Sequence, residues 1–356
     1  MTGDKMSFNG YQIIKCPPLS KVYCLKMIYV FLTLIVISFY ACSEERKEQT
    51  TGSIQKITLG VPSHDYPIFL ALIQLAKEQG FFKDQGIDVV YKFFPHGVAS
   101  LKALQTDDVD ITIGAEFPFV KQNLDNSRMK IIASIAQVDV LELMARKDRG
   151  IFNPADLKGK RVALIKESQL EFSLDRFLAN YELSLKDLEV LNLPPSGIEK
   201  SILEGSADAI VLREPMSHRI RAKLGDILVS WPVQEKQNVF WLVVCNDEYV
   251  RLHAKGLEQF LRAIRKAELF YLEDIQKAND IIVSKGRLNK NYFERLQPQI
   301  KYKLSLEKTL LIAMEDEARW HIENQYTDIK KVPNYLDHIY FEALESVNPD
   351  AVNIIH

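Results

Sequence analysis

Most of the side chains that could carry chemistry in this 356-residue chain lie in short loops that follow predicted strands. In open α/β sheets, ligands bind outside the carboxyl ends of the strands, so these loops are expected to meet around one ligand. The predicted ligand-binding residues are Ser63, His64, Asp65, Tyr66, Phe94, His96, Glu116, Phe117, Gln137, Ser168, Gln169, Phe172, Arg213, Glu214 and Trp241.

Five of these residues are aromatic and could stack on a ring, as aromatic side chains do in many small-molecule clefts. Tyr66 and Phe117 stand at loop starts between polar residues, which favours a place in a cleft. For Phe94 and Trp241, packing in the hydrophobic core is the alternative interpretation.

Carboxylates make the predicted rim acidic, and Arg213 is its main basic residue. A site for sulfonate or nitrate would prefer free amides and hydroxyls at a helix N-terminus. The acidic rim therefore favours a nitrogen heterocycle or a cationic organic solute as the ligand. Arg213 and Glu214 could instead form an internal ion pair, which is the alternative to direct contact with the ligand. The carboxylates concerned are Asp65, Glu116, Glu167 and Glu171.

His64 and His96 could bind a metal, but neither has a third ligand at helical spacing in the sequence. We predict no metal site and no cofactor. The sequence has no GxSxG, HExxH or phosphate-cradling glycine loop. Its 45 basic and 47 acidic side chains give no excess charge for nucleic acid. These features predict a binding protein and not an enzyme.

The elements that position these loops alternate between short strands and longer helices, a pattern typical of sheets covered by helices. Strands are predicted at 57–61, 87–93, 110–114 and 130–136, and a second series at 161–165, 207–212 and 227–230 surrounds a helix at 168–180. After a strand at 240–245, the chain is predicted to be almost wholly helical to about Glu345.

Residues 27–41 carry no charge and lie between Lys26 and Cys42. This segment is typical of a secretory signal and is shorter than the about 20 residues of a membrane span. Ala41 before Cys42 predicts lipidation of Cys42, although Phe39 departs from the usual lipobox. Cleavage elsewhere and an uncleaved anchor are the alternatives.

We therefore expect an exported protein, periplasmic or on the outer face of the cell membrane. The predicted segments are a leader at 1–42, of which 1–26 is an overlong start, and a tether at 43–53. The folded part is predicted to comprise lobe one at 54–138, lobe two at 139–232, and a return to lobe one with C-terminal helices at 233–356.

Four motifs carry a resemblance to a known family. They are LAKEQGFFKDQGIDV at 75–89, DITIG at 110–114, DLKGKRVA at 156–163 and EGSADA at 204–209. With these motifs the chain resembles the nitrate, sulfonate, taurine and thiamine-precursor branch of the periplasmic substrate-binding proteins of ABC importers.

The resemblance implies an α/β periplasmic-binding-protein-like fold of type II. Each of its two lobes would be a mixed sheet flanked by helices, and the C-terminal part would be helical. It also implies a monomer that closes on a small molecule and delivers it to an ABC permease and its ATPase. In pyrimidine-binding relatives carboxylates pair with ring amino groups, which favours a thiamine pyrimidine precursor over a sulfonate, nitrate or taurine. Arg213 departs from the aromatic residue that family members often carry before Glu-Pro.

Two other functions stay open. An enzyme on the same fold would form a pyrimidine precursor or act as a small-molecule lyase, but the pyrimidine-forming relative carries a cysteine cluster that this sequence lacks. A solute sensor for a receptor kinase would need the same closing cleft, so the sequence does not separate it from an importer component.

Overall fold

The computed structural model describes residues 54–62, 67–124, 128–214, 216–234 and 237–356. The predicted leader, tether and lipidation site at Cys42 lie outside these residues. So does the first predicted ligand loop, which comprises Ser63, His64, Asp65 and Tyr66. Within the described part of the chain, no helix is long and apolar enough to cross a membrane.

Strands occupy eleven segments of the described chain and form two sheets. They are β1 (Gln55–Pro62), β2 (Ile87–Phe94), β3 (Ile111–Ala115), β4 (Met129–Val138), β5 (Leu141–Arg146), β6 (Arg161–Leu164), β7 (Glu189–Asn192), β8 (Ala209–Arg213), β9 (Leu228–Pro232), β10 (Val239–Asn246) and β11 (Ile300–Ser305). The first sheet has the order β11-β4-β10-β3-β1-β2, and the second has the order β7-β6-β8-β5-β9.

Both sheets mix parallel and antiparallel pairs. In the first sheet, β1 is parallel to β2 and β3, whereas β10 is antiparallel to β3 and β4. In the second, β6 is parallel to β7 and β8, whereas β5 is antiparallel to β8 and β9. This arrangement confirms the predicted α/β class with a mixed sheet in each half.

Helices flank both sheets. They are α1 (Ala71–Glu78), α2 (Phe81–Asp84), α3 (Gly97–Gln105), α4 (Glu116–Asn123), α5 (Gln169–Ala179), α6 (Pro195–Glu204), α7 (Met216–Leu224), α8 (Asp247–Glu273), α9 (Ile275–Gly286), α10 (Lys290–Leu296), α11 (Lys308–Glu323) and α12 (Glu342–Val347).

The central strands β4 and β10 of the first sheet are buried on both faces, which explains their nearly continuous apolar sequences. Helix α8 contributes Leu257, Phe260, Leu261 and Ile264 to its core, at the three- and four-residue spacing of one helix face. The Phe260 ring stacks on Phe82 of α2 with ring centroids 5.2 Å apart.

The second sheet has a different core on each face, because neighbouring residues of a strand point to opposite sides. Leu143 of β5 packs on one face with Leu174 of α5. Met144, the next residue, packs on the other face with Ile198 and Ile202 of α6.

One strand of the first sheet, β11, contradicts the expectation of an almost wholly helical chain after residue 245. It pairs with β4 in the register Ile300↔Val138. Buried Ile300, Tyr302 and Leu304 alternate with lysines in this strand, which is the period of a strand and not of a helix.

The chain passes between the two sheets twice, at 139–140 and at 233–238. The buried side chain of Gln234 joins these two crossings. Its Oε1 accepts hydrogen bonds from the N–H groups of Val140 at 2.6 Å and Leu141 at 2.9 Å. Its Nε2 donates to the carbonyls of Val138 at 2.8 Å and Gln237 at 3.1 Å. We retain 54–138, 139–232 and 233–356 as the proposed lobe boundaries.

Candidate functional site

A group of buried polar and aromatic side chains lies where helices from both sheets meet. Helix α4 follows β3 of the first sheet, α5 follows β6 of the second, and α11 comes from the C-terminal part. We call this group the buried cluster; its members are Glu116, Phe117, Phe172, Glu317, Trp320 and His321, together with the half-buried Gln169.

Glu116 enters the cluster because it is the first residue of α4, directly after the last residue of β3. Its side chain is fully buried, and its Oε2 accepts a hydrogen bond of 2.8 Å from the N–H of Phe240 in β10. Burial raises the pKa of Glu116 from 4.5 to about 8, because two backbone hydrogen bonds and Glu317 oppose the desolvation only in part.

Glu317 and His321 are four residues apart on α11 and therefore share one face of the helix. Both side chains are fully buried. Burial, and then the charge of Glu116, raise the pKa of Glu317 well above its usual range. Burial lowers the pKa of His321 to about 4, with a smaller contribution from Lys121, so its imidazole is neutral at pH 7.

Aromatic rings surround these polar groups. The centroid of Phe117 lies 4.8 Å from that of His321 and 5.9 Å from that of Phe172. Trp320 contacts Phe172 edge to face at 5.6 Å. Such an arrangement offers flat apolar surfaces beside buried carboxyls.

Hydrogen bonds tie α11 and its following turn to α5. The indole Nε1 of Trp320 donates to Asp175 at 2.9 Å. The hydroxyl of Tyr326 donates to the carboxylate of Glu171 at 3.1 Å. Glu171 has a raised pKa because burial outweighs its hydrogen bonds, the largest of which comes from the N–H of Glu167.

Two ion pairs also connect helices of the two sheets. Arg176 of α5 makes a two-pronged contact with Asp316 of α11, at 2.8 and 3.2 Å. Lys121 of α4 lies 2.7 Å from Glu167, which precedes α5. Both pairs are partly exposed to water, so each contributes little to stability.

The structure brings together four of the predicted ligand residues, Glu116, Phe117, Gln169 and Phe172. Ser168 is adjacent and acts as the N-cap of α5, where its Oγ accepts a 3.2 Å hydrogen bond from the N–H of Leu170.

Other predicted residues lie outside the buried cluster. His96 is exposed and caps α3 by accepting a 3.2 Å hydrogen bond from the N–H of Ala99 through Nδ1. Phe94 is half-buried at the end of β2. Trp241 is buried in the core of the first sheet and stacks on Phe69 at 4.9 Å.

The remaining predicted residues make contacts of their own. Gln137 donates to Glu307 at 3.1 Å. Arg213 ends β8, and Glu214 after it pairs with Arg295 of α10 at 3.3 Å. The Glu214 carboxylate also accepts a 3.3 Å hydrogen bond from the N–H of His218.

Sequence reasoning missed Glu317, Trp320, His321 and Tyr326. The spacing of Glu317 and His321 was visible, but a glutamate and a histidine in a charged helix usually face water. Their burial depends on the packing of α11 against α4 and α5, which no local pattern of the sequence encodes.

The cluster offers chemistry for binding and no metal site. Its carboxyls can accept hydrogen bonds or donate one when protonated, and neutral His321 can do both. Among the described residues, no group of three histidines, cysteines or acids could hold a metal ion.

The chain matches the family described as NMT1/THI5 like over residues 70–278, more than half of its length, and it belongs to that family. This confirms the family resemblance predicted from the sequence motifs.

Among curated relatives, YtlA of Bacillus subtilis (strain 168), whose name describes a binding protein, is 22% identical over 244 residues, covering 66% of this chain and 70% of YtlA. The 4-amino-5-hydroxymethyl-2-methylpyrimidine phosphate synthase THI12 of Saccharomyces cerevisiae is 24% identical over 257 residues, covering 67% of this chain and 73% of THI12.

A solved structure with a similar fold is the periplasmic aliphatic sulphonate binding protein SsuA from Escherichia coli. It superposes with a TM-score of 0.67 at 17% identity, covering 80% of this chain and 92% of SsuA. At this identity the likeness concerns the fold, and it confirms the predicted periplasmic-binding-protein-like class.

Proposed function

We propose that this protein is the extracytoplasmic solute-binding component of an ABC-type importer. In this role it captures a small organic molecule between its two lobes and delivers it to a membrane permease, whose ATPase supplies the energy. The observation that carries the proposal is the buried cluster, which joins helices from both sheets and contains polar atoms without partners.

Those atoms are unusual for a protein interior, where nearly all buried polar groups are hydrogen-bonded. Within the described part of the chain, no hydrogen-bond partner at normal geometry is found for Oε1 of Glu116, Oε1 of Gln169, either carboxyl oxygen of Glu317 or either ring nitrogen of His321. Each such atom costs about 1–3 kcal/mol when left unpaired, so a ligand with matching groups would recover much of this free energy.

The position of the cluster also favours a ligand site, because small-molecule pockets concentrate at the interfaces between domains. Contacts such as Trp320–Asp175 and Arg176–Asp316 hold α5 against α11 around the cluster. In a two-lobed binder, such contacts form when the lobes close on the ligand.

The chemistry of the cluster favours a nitrogen heterocycle. Phe117 and Phe172 would stack on a planar ring, Glu116 and Glu317 would accept from ring N–H or amino groups, and His321 would donate to a ring nitrogen. The name of the relative THI12 supports a pyrimidine such as a thiamine precursor. A sulfonate, nitrate or taurine is the second candidate, and the name of SsuA supports it.

The remaining parts of the proposal come from the sequence and from the fold of the structural neighbours. We place the protein outside the cytoplasm, anchored through lipid at Cys42, because of the apolar segment before that residue. We expect it to act as a monomer without a cofactor.

An enzyme is the second candidate function, because THI12 and similar relatives are named as pyrimidine phosphate synthases. The cluster contains two carboxyls and a neutral imidazole, which could transfer protons. Conversion of a bound pyrimidine by the purified protein would distinguish this function from capture alone.

The test is a thermal-shift screen of the purified protein against pyrimidines, amines, aliphatic sulfonates, nitrate and aromatic acids. A ligand at 100 times its Kd stabilises a protein by about 2.7 kcal/mol. The variant His321→Ala should lose the shift. His96→Asn serves as the matched control, because it changes an exposed histidine outside the cluster and keeps a side chain that caps α3.

A shift with heterocycles that disappears in His321→Ala would support the proposed ligand and site. A shift with sulfonates or nitrate alone would keep the importer role and overturn the ligand class. No shift with any class, together with turnover of a candidate, would replace the proposal by the enzyme.

A further inference from the structure

We infer that Glu116 and Glu317 select the charge of the ligand: the empty site is neutral with a proton on each carboxyl, and a monocationic ligand displaces one of these protons. This inference rests on the proposed function of ligand capture and specifies the charge of what is captured.

The geometry of the pair requires protons. Both carboxyls are fully buried, and they lie on α4 and α11, which pack against each other. Glu116 accepts hydrogen bonds from its own backbone N–H and from the N–H of Phe240, and Glu317 interacts with Glu116 and with the amide of Gln169. Neither carboxyl is within 4.0 Å of a lysine, arginine or histidine nitrogen among the described residues. A fully buried carboxylate without a cation is strongly disfavoured, and each carboxyl of the pair further disfavours ionisation of the other, so both carry a proton in the absence of ligand.

The charged groups of the surrounding elements do not neutralise the pair. On α4, Lys121 is bound to Glu167, and on α11, Asp316 takes the positive charge of Arg176. His321 faces Phe117 and is neutral at pH 7.

On the remaining sides, the groups of the described residues that act on the pair are uncharged. Gln169 of α5 lies beside Glu317, and the hydroxyl of Tyr335 approaches from the turn at 335–338. The raised pKa values of both carboxyls are consistent with a pair that is protonated in the empty site at neutral pH.

A monocation entering this site meets a neutral pair. Loss of one proton from the pair to solvent leaves one carboxylate and one carboxyl, and the carboxylate pairs with the cation. Charge is conserved, because one positive charge enters as one proton leaves. An anion has no such exchange available: the carboxyl O–H groups could donate hydrogen bonds to it, but no positive charge of the site balances its own. The site therefore selects against sulfonates, in contrast to what the name of SsuA describes for that protein.

Proton release makes the affinity for a cation depend on pH. While the empty pair is protonated, each rise of one pH unit should lower the Kd of a cation by about tenfold. A neutral ligand of the same shape releases no proton, so its Kd should be independent of pH in the same range.

The experiment is isothermal titration calorimetry of the full chain with three probes of similar size that share a benzene ring. Benzamidine is the cation, benzamide the neutral isostere and benzenesulfonate the anion. Titrations at about pH 6 and about pH 7 should show tighter benzamidine binding at the higher pH by about tenfold, no pH effect for benzamide, and no binding of benzenesulfonate.

Three variants test the residues. Glu116→Gln and Glu317→Gln keep the shape of the side chains and should reduce the pH effect on benzamidine. Glu268→Gln is the matched control, because Glu268 is a buried glutamate that instead pairs with Arg265 at 2.6 Å; this variant should keep the pH effect. Thermal melts show whether each variant folds.

The inference fails if benzenesulfonate binds as well as benzamidine, if benzamidine binding is independent of pH, or if both glutamine variants keep the pH effect. It also fails if none of the three probes binds. In that case the broader ligand screen still decides whether the protein captures a solute, so the two failures are distinguishable.

Discussion

Replacement of Glu116 by glutamine should change how the stability of the protein depends on pH. A carboxyl whose pKa is higher in the folded than in the unfolded chain binds its proton more tightly when folded. Its contribution to stability is therefore complete below the unfolded pKa and is lost as the pH rises through the folded pKa. For Glu116 the stabilising contribution is lost over the pH range between its ordinary pKa of 4.5 and its folded pKa of about 8.

The size of the effect follows from the width of that window. A difference of one pKa unit corresponds to about 1.36 kcal/mol, so the wild-type protein should lose about 5 kcal/mol of unfolding free energy between the two ends. Glu116→Gln does not titrate, and its side-chain oxygen can still accept the hydrogen bond from Phe240. The variant should therefore gain stability relative to wild type as the pH rises.

Differential scanning calorimetry at about pH 5 and about pH 8 measures the effect. About 4 kcal/mol of this loss falls between these two conditions, because the lower pH is already above the unfolded pKa and the higher pH only reaches the folded pKa. For a chain of this size about 1 kcal/mol corresponds to about 2 °C in Tm, so the variant should gain about 8 °C on wild type between the two conditions. The double variant Glu116→Gln/Glu317→Gln should show an equal or larger gain. Parallel Tm profiles of wild type and Glu116→Gln would refute the assignment of a protonated, buried carboxyl.

Three further predictions concern contacts outside the carboxyl pair. Gln234→Leu leaves two backbone N–H groups at the crossings without an acceptor and should cost about 2–5 kcal/mol in urea unfolding; an unchanged midpoint would contradict the role of this amide. Trp320→Phe removes the 2.9 Å hydrogen bond to Asp175 and should cost about 2 kcal/mol, together with weaker ligand binding in calorimetry. Asp208→Asn should lower the Tm at neutral pH. Burial would raise the pKa of Asp208, but hydrogen bonds from Arg161 outweigh burial and lower this pKa. The difference in Tm between variant and wild type should therefore vanish as the pH falls through the lowered pKa.

The sequence predicts those residues of the site that directly follow a strand in the chain. Glu116 and Phe117 could be predicted because they follow a short strand directly, and strand ends in an α/β sheet face the ligand. The same reasoning selected Gln169 and Phe172 after β6. It also selected His96 and Gln137, which bind neighbouring groups outside the cluster.

The other half of the site depends on contacts between distant parts of the chain. Glu317 lies about two hundred residues after Glu116, and only the packing of α11 on α4 makes them neighbours. The missed strand β11 differs, because the alternation of Ile300, Tyr302 and Leu304 with lysines was present in the sequence. A test of that segment for a period of two would have found it.

The amide of Gln234 limits how the two sheets can move relative to each other. Its hydrogen bonds reach Val138, Val140 and Leu141 on one crossing and Gln237 on the other. A shear or twist that separated the crossings would break several of these bonds together, whereas a bend about an axis through both would keep them. The side chain thereby opposes shear and twist between the two halves more strongly than it opposes bending.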